Sequence, residues 1–121
     1  MTKVVIWKTA GGQTSAMDEA TAKTYLGNLI GAGTRLTNLG QALTQACNGQ
    51  GKSNGNLLFN GQKTHHASAG KAGVSSVTLF YFSQAGNVNI FAMGQHKDGS
   101  SYELCDFQPT TGTFSSKTIA L

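Results

Sequence analysis

Three histidines carry most of the chemistry that this sequence could perform. His65 and His66 close the run Lys63-Thr64-His65-His66, and His96 sits in Gly94-Gln95-His96-Lys97, just ahead of Ser100 and Tyr102. Imidazole is the natural general acid or base near neutral pH. Metal-free cleavage of a ribose phosphodiester needs little more. One group removes the 2′-hydroxyl proton, a second protonates the leaving 5′-oxygen, and a cation stabilises the charged phosphorane. His65 or His66 with His96 would supply the pair, and Lys52, Lys63 or Lys97 the cation. Tyr102 would stack on a base or give up a proton, and Ser100 would contact substrate. Neighbours in extended chain point to opposite sides, so only one of His65 and His66 can face a given site. The plainer alternative is a pair of exposed loop histidines and a polar hairpin tip.

Other motifs say less. Ala46–Ser53 (ACNGQGKS) matches a relaxed phosphate-loop pattern. That chemistry needs a strand before the loop and a helix after it, so that amides and the helix dipole meet phosphate. Here a helical pattern precedes, so a glycine-rich helix exit is the expected explanation. Glu103 and Asp106 would face opposite ways in a strand, and Asp18 and Glu19 read as helix-start charges. Cys47 and Cys105 are the only cysteines, with no CxxC or Cys/His cluster, so two buried thiols are expected and no metal site.

The elements that must position these groups follow from patterning. At 121 residues the chain is expected to form a single domain, 1–121, large enough for its own core. Lys3–Lys8 is apolar on both faces, as in a covered strand. Ser15 is a candidate helix cap, and Ala22, Tyr25, Leu26, Leu29 and Ile30 recur at helical spacing up to Gly31-Ala32-Gly33. Thr34 opens a second helix, with Leu36, Leu39, Leu43 and Cys47 on one face and Asn48-Gly49 as its stop. Gly49–Gly73 is glycine-rich and is read as a long loop with one short strand at Asn56–Phe59. Val77–Phe82, Val88–Met93 and Tyr102–Leu104, separated by Gly-Asn and Asp-Gly turns, form an antiparallel meander. Pro109 interrupts, and Thr111–Leu121 offers a last edge strand. The expected fold class is α+β: an N-terminal strand and a helical hairpin packed on an antiparallel sheet of about four to five strands.

Charge constrains the partners. Lys and Arg total 9 against 5 Asp and Glu, a net charge of +4. A small basic domain is drawn to phosphate, although Arg35 is the one arginine and arginine is the usual bidentate phosphate reader. The first residues lack the apolar core of a signal peptide, and no segment approaches the ~20 apolar residues of a membrane span.

The order strand–helix–helix–meander, with Phe80-Tyr81-Phe82 leading through an apolar strand to Gly94 and Lys97, resembles the small RelE/ParE-like toxins. It is also similar to the wider group of barnase-, EndoU- and colicin-like ribonuclease toxin domains. The resemblance implies metal-independent RNA cleavage by residues on the sheet and its loops, with Lys97 and Tyr102 in comparable places. It also implies a tRNA or rRNA substrate, no cofactor, no membrane partner, a neutralising antitoxin or immunity protein, and action in the cytoplasm, with delivery by a route other than a classical signal peptide. The second expectation is a non-enzymatic binding module, such as a phage or secretion-associated adaptor or an inhibitor. ADP-ribosyl transfer on the same fold is a third, weakened by missing Arg and Glu signatures.

Overall fold

The computed structural model describes residues 2–9, 12–30, 34–59, 61–71, 75–96, 101–104 and 118–120. The fold is α+β. Strands β1 (Lys3–Thr9) and β2 (Gly12–Gln13) precede helices α1 (Glu19–Ile30) and α2 (Thr34–Cys47). Six strands follow: β3 (Lys52–Phe59), β4 (Gln62–Ala69), β5 (Val77–Gln84), β6 (Asn87–His96), β7 (Ser101–Leu104) and β8 (Thr118–Ala120). They build one sheet of order β2-β1-β6-β5-β4-β3, with β7 added to β6 and β8 to β7. All pairings are antiparallel except β1 with β6. None of the described helices is long and apolar enough to cross a membrane.

The sheet is larger than the sequence pattern suggests, because the segment read as a long loop is mostly the β3–β4 hairpin. Its strands, KSNGNLLF and QKTHHASA, are poor in β-branched and aromatic residues. Their pairing slips between Ser53 and Leu58, so β3 carries extra residues in a bulge. Gly55, in that bulge, and Gly61, in the hairpin turn, take positive φ of 61° and 79°.

The helices behave as their patterns require, with one difference at the first cap. Asp18, not Ser15, receives the Thr21 amide at 2.7 Å. A hydrogen bond from the Thr21 hydroxyl first, then this amide bond, with a smaller contribution from nearby Lys3, hold the Asp18 carboxyl below the usual carboxylate range. At the end of α2, Gly49 has φ 70°, its amide bonds to Ala46, and the Gln50 amide reaches back to Gln45. That is a Schellman ending, and it accounts for the ACNGQG stretch without a nucleotide.

The two faces of the sheet are covered differently. On one, α1 and α2 press Leu26, Leu39, Ala42 and Leu43 onto Val4, Ile6, Leu79, Tyr81, Ile90 and Met93. The other face is aromatic: Phe59, Phe80, Phe82 and Phe91, with Trp7 at its border. Trp7 on β1 and Phe59 on β3 are four strand spacings apart, ~19 Å in a flat sheet. Their ring centroids are 5.4 Å apart, and those of Phe59 and Phe91 are 4.6 Å apart. The sheet therefore curls until its aromatic face packs largely against itself. Burying each of these rings contributes on the order of 1.5–3 kcal/mol.

Candidate functional site

The structure sorts the residues that could do chemistry into two separate places. His65 and His66 are consecutive on β4, opposite Tyr81 and Phe80 of β5. His65 is on the helix side, half-buried, and stacks on Tyr81 at a centroid distance of 5.9 Å. His66 turns toward the aromatic face beside Phe80 and is 8% exposed. The period of two in a strand thus splits the pair.

His66 is part of a buried polar chain. Asn54 donates its amide nitrogen to Thr64 Oγ1 at 2.9 Å, and its carbonyl oxygen faces His66 Nδ1. An amide oxygen only accepts, so His66 donates to it from a protonated Nδ1. Asn54, in the slipped part of β3, and Thr64 and His66, on β4, together satisfy each other and hold the bulge to its neighbour. This is the work of a structural histidine.

Tyr81 is fixed from above. The Gly51 amide donates to its phenolic oxygen, and any side chain at Gly51 would overlap that hydroxyl and press on the carbonyl oxygen of His66 at 2.9 Å. Burial raises the Tyr81 pKa, the Gly51 bond opposes the rise, and Cys47 adds to it. Cys47 donates to Glu19, which also accepts from Thr44 Oγ1 at 3.0 Å. Burial first, and then the Glu19 charge, pushes the Cys47 thiol up to about 12. It is protonated and unreactive at neutral pH.

His96 ends β6 and is the register partner of Tyr102 on β7, so the backbone brings these two residues side by side. Lys97 and Ser100 lie outside the described residues. The register does not bring His96 to the other histidines. His66 is level with Phe80 and Ala92, and His96 is four residues further along β6. Two strand spacings and four residues of rise separate their Cα atoms by roughly 17 Å, and His65 is about 20 Å away. A general acid and base must each stand about 2.6–3.2 Å from oxygens on one phosphorus.

The lysines tell more. Lys52 is the cross-strand partner of His66, and Lys63 lies opposite Leu58 nearer the hairpin turn. Lys71 follows β4, its carbonyl receiving the amides of Ser75 and Ser76, while Asn38 of α2 donates to the Ser75 carbonyl at 2.8 Å. All three lysines are exposed. Every Asp and Glu in the chain lies outside Ala20–Lys97, a span holding Lys23, Arg35, Lys52, Lys63, Lys71, Lys97 and all three histidines. The hairpin is thus positive with no carboxylate of its own to oppose it. This signal is written in the sequence as a long acid-free run, although motif spacing does not reveal it.

A shallow groove of about 580 Å³ between the helices is lined by Glu19, Lys23, Gly40, Gln41 and Thr44 among others. None of the histidines, lysines, serine or tyrosine proposed from sequence as catalytic or substrate-binding lines it. Among the described residues no group of three His, Cys, Asp or Glu side chains is placed to hold a metal ion. Compared with known proteins, the chain matches no family model, no curated protein and no solved structure.

Proposed function

We propose that the domain acts on RNA, holding its phosphate backbone along the β3–β4 hairpin. The observation that carries this reading is the exposed set Lys52, Lys63 and Lys71 inside a span free of carboxylates. Lysines on an edge hairpin neutralise phosphates without reading bases, which suits a sequence-tolerant RNA contact. On this reading the chain is a binding module first.

Cleavage is the second reading, the ribonuclease-like toxin chemistry. Its support is His65, half-exposed and two residues from Lys63 on the same side of β4. One imidazole beside one cation replaces the two-histidine arrangement. The test is incubation with total tRNA and rRNA in chelator, with binding followed in parallel. Binding without new ends supports the module. Cyclic-phosphate ends that vanish in His65→Gln, with binding kept, support the nuclease. Absence of RNA binding refutes both.

A further inference from the structure

One residue of the hairpin is not accounted for by phosphate contact. Leu58 is 54% exposed and is the large hydrophobic side chain that stands out to solvent among the described residues. Its cross-strand partner is Lys63, and His65, on the same side of β4 as Lys63, has Ser53 as its own partner. Opposed residues of an antiparallel pair hold their Cβ atoms ~5 Å apart. An apolar anchor, a cation, an imidazole and a hydroxyl therefore share one small patch. Leu58 is held outward, because the adjacent Phe59 is buried against Phe91 on the other face.

A single exposed leucine is ordinary on a protein surface. Its setting here is not, since it stands directly across from exposed Lys63 in a span without any carboxylate. A sugar–phosphate backbone offers no apolar pocket for a leucine. Protein interfaces are built on such an anchor, buried at the centre and rimmed by complementary charge.

We propose that this patch docks an acidic protein segment. The segment seats Leu58 against its own apolar side chains and sets a carboxylate on Lys63, across the strand pair from it. Docking stands on Leu58 and the charge around it; only the further statement that the segment displaces RNA rests on the function proposed above.

The experiment is selection of a displayed library of random dodecapeptides on the whole chain, followed by synthesis of the enriched peptides. Enriched peptides are expected to combine an apolar residue with flanking Asp or Glu, and to compete with a labelled RNA. They should lose about tenfold or more in affinity for Leu58→Ser, the scale of an interface anchor, while that variant keeps its RNA affinity and its circular dichroism spectrum. Neutral or basic winners, or acidic winners that bind Leu58→Ser as tightly as the parent, overturn the proposal. Acidic winners that need Leu58 on a chain that binds no RNA leave docking standing and remove the RNA reading instead.

Discussion

If the β3–β4 hairpin grips a phosphate backbone, its lysines must set the salt dependence of RNA binding. The perturbation is Lys52→Gln with Lys63→Gln. These side chains are exposed, so the changes remove charge without opening the core. Take one phosphate for each of Lys52, Lys63 and Lys71. With a slope of about −0.7 per neutralised phosphate on a single strand, log affinity falls with log salt at about −2.1. Between 50 and 200 mM salt that is a loss of roughly 18-fold for the parent, against about 2.6-fold for the double variant with one contact left. Fluorescence anisotropy of a labelled single-stranded RNA over four salt concentrations measures both slopes. Lys23→Gln on α1 is the control, since it alters net charge at an exposed lysine away from the hairpin. A double-variant slope equal to the parent's, or a Lys23→Gln slope that falls as far, would refute the hairpin and leave only a diffuse charge effect.

Three further outcomes test the framework that holds the site. Ala85 and Gly86 form the two-residue β5–β6 turn with φ of 54° and 79°, a conformation that costs a non-glycine residue about 1 kcal/mol or more. Ala85→Asn is therefore expected to raise the melting temperature by a few degrees, and an unchanged or lower value counts against the turn. Gly51→Ala, whose methyl would overlap the Tyr81 hydroxyl, is expected to destabilise the chain by about 1–3 kcal/mol in urea unfolding and to perturb Tyr81 fluorescence; parent-like stability would contradict that packing. For Cys47, the folded value of about 12 exceeds the ordinary 9.0. Its contribution is complete below about pH 9 and is lost as pH rises toward 12, because the unfolded chain releases its proton first. Urea midpoints at pH 8 and pH 10.5 should therefore fall more for the parent than for Cys47→Ser, and parallel falls would show that the thiol is not buried in this way.

The parts of the fold legible in the sequence are those where local pattern and tertiary demand agree. Leu39 and Leu43 repeat at helical spacing and are buried; Val77–Phe82 is apolar but for Thr78 and sits between two covered faces. The short strand expected at Asn56–Phe59 lies within β3, while β4 and the start of β3 escaped because their hydrogen bonding is secured by neighbours rather than by their own residues. β4 is paired with β5 over His65–Ala69 and with β3 nearer the turn, and that supplies the order which Gln, Lys, Thr and His would not provide alone. Asp18 displaced Ser15 as the cap because α1 begins later than the first possible capping residue.

The site was harder to read for a related reason. Histidines are informative about chemistry only when their surroundings are known, and adjacency in sequence is a poor guide to those. His65 and His66 differ by one position, yet one stacks half-exposed on Tyr81 and the other is enclosed with Asn54 and Thr64. Their distance from His96 follows from β6. Its first half pairs with β1 and its last residues with β7, which carries His96 and Tyr102 to the far end of the sheet from the β3–β4 hairpin turn. A single phosphate cannot touch both regions. A polymer can, and a chain-like ligand crossing ~20 Å of sheet is the kind of partner for which a row of separated lysines, without a convergent pocket among the described residues of the hairpin, is sufficient.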